Sequence, residues 1–164
     1  MDQEIIREAA SLYERIRNFR RRLHTRPELS FVERETVRII ASELDKAGIA
    51  YRPIAQTGLL ARIEGRGDLS RAVVLRADID ALPVTEQTDV EFASQNKGVM
   101  HACGHDMHAA ALLGALLLLN ERRTSFEGTV FGLFQPREEK NPGGASLGLA
   151  EHPFVRYHNE TFLR

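Results

Sequence analysis

The sequence has no tryptophan, a single cysteine and no apolar run long enough to span a bilayer, and its 22 Lys and Arg nearly cancel its 23 Asp and Glu. Each scarcity excludes something. One thiol cannot close an internal disulfide, so Cys103 is either a small buried hydrophobe or a chemical ligand. Balanced charge gives no electrostatic pull toward nucleic acid or an anionic membrane, so specificity must come from a local site. The longest apolar stretch, Ala109 to Leu119, falls short of the roughly 20 residues of a membrane-spanning helix and reads as a buried core helix. The opening residues lack the basic, apolar and small-residue regions of a secretory signal, so a cytoplasmic protein with no membrane partner is expected. At 164 residues the chain allows one domain with a genuine core, or a piece of a larger one, but not two full domains.

Hydrophobic periodicity organises the rest. Ile5, Ile6, Ala9, Leu12, Ile16, Phe19 and Leu23 fall at the three-and-four spacing of one helical face, predicting a helix from Gln3 to Leu23 that closes before Pro27. A second helix is expected from Glu33 to Ala47, with Gly48 at its C-terminal end. Leu59, Ala61 and Ile63 alternate as in a strand, and Ala72-Val73-Val74-Leu75 reads as a buried strand. The two are expected to pair as a hairpin, with Arg66-Gly67-Asp68 in its turn. Ala81 to Val99 is irregular, Met107 to Asn120 helical, Thr129 to Phe134 a buried strand, and Gly143 to Ala150 a short helix. Alternating helices and buried strands predict an α/β sandwich whose sheet is covered by helices.

Three segments carry chemistry. His101-Ala102-Cys103-Gly104-His105-Asp106-Met107-His108 sets three imidazoles, a thiol and a carboxylate at a loop-to-helix junction. Thiolate and imidazole suit a borderline-soft divalent metal such as zinc, and Gly104 lets the backbone fold tightly enough for Cys103 and His105 to face one ion. The plainer reading is a polar helix start with a buried cysteine. Asp106 either holds a ligating imidazole in its tautomer or caps the helix, and His108 is ambiguous. Next, Gln135-Pro136-Arg137-Glu138-Glu139 places adjacent carboxylates at the end of a buried strand, where one can ligate a metal while the other moves a proton. Read alone, that pair is more simply a solvated charge pair. Asn141 to Ala145 then supplies a turn able to orient Glu139 or present amides to an oxyanion. Last, Asp78 and Asp80 lie two apart after another buried strand, where an extended backbone points both to the same side. Asp80 could support a metal-bound histidine, and Asp78 could do so or neutralise Arg76, with a structural ion pair as the alternative.

With these segments on the page, the sequence resembles the M20 metallopeptidases, in the branch of aminoacylases, hippurate hydrolases, auxin-conjugate hydrolases and related carboxypeptidases. The resemblance rests on Arg21 to His24 with Pro27-Glu28, Thr57-Gly58, Leu75 to Pro83, Gly98 to His108, Leu113-Gly114, Gly128 to Val130, Phe134 to Glu139 and Gly143 to Ala145. It implies a three-layer α/β/α sandwich with a mixed sheet, of which residues 1–164 would be the N-terminal part of the catalytic domain. The C-terminal catalytic part and the smaller lid domain, through which members often form homodimers, would be absent. It further implies Cys103, His105 and Glu139 as ligands of a divalent metal, zinc with manganese, cobalt or nickel as alternatives, and Glu138 as general base. Asp80 is taken as a catalytic support, and His24 as a shared position of unassigned role. His152 and His158 do not match the family context and are read as surface residues. The expected reaction is hydrolysis of the amide of an N-acyl amino acid or short peptide. The alternative is a truncated remnant that folds, and binds a metal or a partner, without turnover. A nucleophilic Cys103 is a third idea, disfavoured by its closeness in sequence to His105.

Overall fold

The computed structural model describes residues 2–140. The first periodic segment forms two helices rather than one, α1 (Asp2–Ser11) and α2 (Tyr13–Thr25). The helix is interrupted at Leu12; α1 reaches Arg122, which pairs with Glu8 at 2.7 Å and Glu4 at 3.5 Å, while α2 keeps its apolar face on the core through Phe19 and Leu23. Helix α3 (Arg34–Lys46) buries Ile39, Ile40 and Leu44 and ends at Gly48, whose φ of +63° is the left-handed conformation glycine adopts freely. Its N-terminal amides are capped by Glu28, whose carboxylate accepts Glu35 N–H, Thr36 N–H and the Thr36 hydroxyl.

Four strands follow: β1 (Ala50–Ile54), β2 (Gly58–Glu64), β3 (Ala72–Asp78) and β4 (Thr129–Gln135), with helix α4 (His105–Glu121) between the last two. Their order is β1-β2-β4-β3, with β1–β2 and β2–β4 antiparallel and β3–β4 parallel. The expected β2–β3 hairpin is therefore not formed. Strand β4 lies between those two, because the β3–α4–β4 crossover brings the chain back parallel to β3 on its inner side. Arg66 bridges to Glu127 instead of closing a hairpin turn. Strand β3 also differs from the buried strand expected, since Val73 is 58% exposed and Val74 40%. It is an edge strand among the described residues, so its flanks lack the cover that a central strand receives. β1 escaped the sequence reading because Pro53 and Arg52 break its alternation.

Helices α3 and α4 pack on one sheet face and α2 packs on α4. Leu59, Ala61, Ile63, Ala77 and Phe134 meet Ile40, Leu44, Leu113 and Leu116 there, the main core of an α/β fold with a mixed sheet. A smaller cluster, Ile54, Ala55, Leu60 and Phe131, lies apart from it. Among the described residues no helix is long and apolar enough to cross a membrane. The expected 143–150 helix, the 141–145 turn, His152 and His158 lie outside the described residues.

One contact fixes how closely the site-bearing helix approaches the sheet. A Cβ on Gly132 would stand 2.5 Å from Leu116 Cδ1, so in Gly132→Ala the buried Leu116 side chain must move, by a change of rotamer or by carrying α4 away from β4. We expect this variant to lose about 1–3 kcal/mol in urea unfolding, the usual cost of overpacking. Unchanged stability would mean that α4 has slack at this point.

Candidate metal centre

Strands β3 and β4 run parallel with Asp78 beside Gln135, so the segments that follow them leave the sheet at one carboxyl edge, the usual place for a site in an α/β fold. Asp80 follows β3, and Glu138-Glu139 follow β4. Helix α4 starts beside them at His105, directly after Gly104, whose φ of +77° makes the tight turn that glycine permits.

The imidazole of His105 is held on one side only. Its Nδ1 lies 2.9 Å from the Asp80 carbonyl oxygen and 3.2 Å from Asp80 Oδ1, so Nδ1–H donates to Asp80 and Nε2 is left for a cation. Nε2 faces Glu139 Oε1 at 3.9 Å. Ligand atoms of His105, Glu138 and Glu139 all lie within 4.8 Å of one another. The exposed Cys103 thiol is near enough to feel the Glu139 charge but joins no such group among the described residues, so of the three expected ligands the structure brings together His105 and Glu139, with Glu138 beside them, and leaves Cys103 outside that spacing.

This donor set fits a divalent metal. Bonds of ~2.0–2.3 Å put two ligand atoms of one ion roughly 3–4 Å apart, which is the spacing of Nε2 and Oε1. Glu139 Oε1 is buried with no hydrogen-bond partner among the described residues, a state that is costly unless a cation or proton faces it. Hydrogen bonding to Glu139, burial and the charges of Glu139, Glu138 and Asp80 push the Cys103 thiol up. A positive ion among these groups would reverse that. A second group, Asp78, His105 and His108, also lies within 4.8 Å, but the Asp78 carboxylate is engaged by Arg76 at 2.8 and 3.0 Å.

Asp80 ties the site together. It is 1% exposed, and its Oδ2 accepts the Ser30 hydroxyl at 2.6 Å and Glu139 N–H at 3.0 Å. Strand β3 ends at Asp78, so Asp80 lies just beyond it; both carboxylates nevertheless come near His105, Asp80 Oδ1 at 3.2 Å and Asp78 within 4.8 Å, while Asp78 also pairs with Arg76. Asp106 does not orient His105 and makes no side-chain cap. It forms an ion pair with Arg20 at 2.6 Å and contacts His24 Nδ1 at 2.8 Å, while His24 Nε2 lies 3.2 Å from Glu86. His24 is therefore a buried strut between α2 and α4. Ser30 and Glu33 are site-supporting residues that the sequence reading does not single out: Glu33 enters it only as the start of the second helix, and nothing adjacent to either residue signals a partner beyond residue 55.

Burial opposes charge on Asp80, yet hydrogen bonds from His105, Ser30 and the Glu139 and Glu138 amides hold its carboxyl at about 2, below 3.8. Burial likewise opposes charge on His105, but the Asp80 carboxylate and carbonyl raise it from 6.5 to about 9. The two shifts describe one attraction and are not added. A carboxyl lowered on folding stabilises above about pH 4, and that stability is lost as pH falls toward 2. A histidine raised on folding stabilises fully below about 6.5, and that stability is lost as pH climbs through 9. In chelator-treated protein this pair should contribute on the order of 2 kcal/mol between those limits. Thermal unfolding against pH should show both flanks flattened in Asp80→Asn, and an unaltered profile would contradict the pairing.

Known proteins bear on this geometry. The sequence model of peptidase family M20/M25/M40 matches residues 74–162. An N-acetylcysteine deacetylase of Bacillus subtilis is 48% identical over 139 residues, covering 84% of this chain and 36% of the deacetylase. An IAA-amino acid hydrolase of Arabidopsis thaliana is 47% identical over 133 residues, covering 80% of this chain and 28% of the hydrolase. A crystal structure from Bacillus subtilis, described as a dinuclear metal binding peptidase of the M20 family, superposes with a TM-score of 0.83 at 45% identity, over 87% of this chain and 40% of that one. The chain spans about a third of the length of these curated relatives. With more than half of its residues matched by the family model, and with its fold shared with a member at 45% identity, the chain belongs to peptidase family M20/M25/M40.

Proposed function

We propose that the protein is a metal-dependent amidohydrolase that cleaves the amide of an N-acyl amino acid or short peptide, with Cys103, His105 and Glu139 as metal ligands. The observation that carries this reading is the meeting of His105 Nε2, the Glu138 carboxylate and the buried Glu139 Oε1, which lacks a hydrogen bond among the described residues, at one sheet edge; Cys103 is added to the set by its nearness to the Glu139 charge and by the chemistry of its thiol. Zinc suits the set best, because thiolate and imidazole are borderline-soft donors. When bound, a divalent cation supplies Lewis-acid polarisation of the scissile carbonyl and eases deprotonation of the attacking water. Glu138, exposed and not needed as a ligand, takes the proton from that water and returns it to the departing nitrogen, so one carboxylate serves as base and then as acid. Asp80 keeps Nε2 of His105 turned to the cation and holds the Glu139 amide in place.

The substrate class follows the names of the relatives, a deacetylase of N-acetylcysteine and a hydrolase of IAA-amino acid conjugates. As part of this proposal, residues 1–164 form the N-terminal part of a catalytic domain, with substrate contacts completed by segments that the longer relatives carry. Metal analysis combined with an assay on hippurate and N-acetyl amino acids tests the reading. Stoichiometric metal with chelator-sensitive release of free amino acid is expected. Hydrolysis that persists after complete metal removal would exclude the mechanism.

A further inference from the structure

We infer that Glu33 is a positioning residue for the Glu138–Glu139 pair, a buried carboxylate that fixes the turn from which both side chains project; this rests on the metal-hydrolase reading above. Glu33 stands at the position just before α3, where a carboxylate ordinarily caps the helix, but Glu28 does that instead. The Glu33 side chain, 0% exposed, points the other way. One oxygen accepts Arg137 N–H at 3.0 Å and the other accepts the Thr57 hydroxyl at 2.6 Å, with the Phe31 amide and its own amide also directed at the group. Three loops, around residues 31, 56 and 137, therefore meet on one carboxylate.

Those loops are also where the backbone is strained. The non-glycine residues with positive φ among the described residues are Phe31 (78°), Ala55 (49°), Gln56 (69°) and Arg137 (59°), and all four belong to this junction. Such conformations are disfavoured for residues bearing a Cβ and persist only where surrounding contacts over-determine them. Here the contacts are visible. The Arg137 guanidinium lies 3.8 Å from the centre of the Phe31 ring and donates to Gln56 at 2.7 Å, while Gly58 approaches so closely that a Cβ would stand 2.6 Å from Pro136 Cδ.

The consequence for the site lies in the spacing along the chain. Glu33 holds the amide of Arg137 and Asp80 holds the amide of Glu139, so two buried carboxylates bracket Glu138 from either side. The turn is pinned at alternate residues, which sets where Glu138 and Glu139 point. Without Glu33 the left-handed turn at Arg137 loses its tether and relaxes toward ordinary φ, carrying both carboxylates away from His105.

Cobalt(II) titration, read through the thiolate-to-cobalt absorption of Cys103, tests this together with kcat and KM on an N-acetyl amino acid. Glu33→Ala should weaken cobalt binding at least tenfold and lower kcat by more than it raises KM. Glu33→Gln, which keeps an acceptor for Arg137 N–H, should stay within about threefold of the wild type. Ile40→Val, a core change in the same helix, should lower the melting temperature without moving cobalt affinity, which separates positioning from general destabilisation. If Glu33→Ala fails to fold, Thr57→Val decides, with a smaller loss in the same direction expected. Unchanged affinity and kcat in a folded Glu33→Ala or Thr57→Val overturns the inference alone. Lack of a Cys103-dependent absorption in the wild type overturns the metal reading and this inference with it.

Discussion

Replacing Glu138 by Gln should lower turnover of an N-acyl amino acid by about 10²–10⁴-fold, leaving metal content and KM near their wild-type values. That range is what a positioned general base contributes, and it corresponds to roughly 3–5 kcal/mol of transition-state stabilisation. Selectivity for kcat follows from geometry. Glu138 is exposed, whereas His105 and Glu139 are more buried and meet at 3.9 Å, so under the proposed roles the more buried pair holds the cation and Glu138 moves the proton. The amide side chain of Gln fills the same space and accepts a hydrogen bond but cannot take a proton. Steady-state kinetics with metal analysis on the same preparations checks this. A fall below tenfold would assign the proton transfers to another group, and a parallel loss of metal would make Glu138 a ligand.

The second large effect is expected at Asp80. Substitution by Ala removes the acceptor of the Ser30 hydroxyl, the Glu139 amide and one contact of His105 Nδ1 in a single step, all inside a buried site. Partners of this kind orient metal-bound histidines, and their loss commonly costs 10–100-fold in metal affinity. Leaving the buried His105 without its carboxylate adds destabilisation on the order of 3–5 kcal/mol. Competition with a chromophoric chelator measures the first effect and urea unfolding the second. Affinity within threefold of the wild type would show that the Asp80 carbonyl, 2.9 Å from Nδ1, orients the imidazole without help from the carboxylate.

Much of the site could be read from sequence because its pieces are local. His105 sits in one turn with Cys103 and Gly104, and Glu138-Glu139 follow one strand, so short spacings point to His105, Glu138 and Glu139 as neighbours before any tertiary contact is known, whereas the place of Cys103 relative to His105 is not fixed by that spacing. Asp80 was placed near a histidine by its position after a strand. What escaped depends on partners far away in the chain. His24 meets Asp106 82 residues on, and Glu33 meets Arg137 104 residues on, so neither can be assigned from its neighbours. Asp106, directly after His105, was a natural choice for the orienting carboxylate. Its carboxylate instead pairs with Arg20 and His24 of α2.

The same distinction explains the fold. Helices α3 and α4 were legible from apolar spacing and from Gly48, and β4 from its continuous apolar run. Strand order was not. Two strands adjacent in sequence ordinarily pair, and nothing near Arg66-Gly67-Asp68 announces that a strand more than 60 residues later will slot between them. The interruption at Leu12 is hidden because the apolar periodicity continues through it, and the ion pairs of Arg122 with Glu4 and Glu8 show where α1 goes.

X-ray absorption on the zinc-loaded protein tests the metal centre most directly, because sulfur at ~2.3 Å separates cleanly from nitrogen and oxygen at ~2.0–2.2 Å. One sulfur per zinc, lost in Cys103→Ser, is the predicted result. Zinc bound by nitrogen and oxygen alone in the wild type would contradict it.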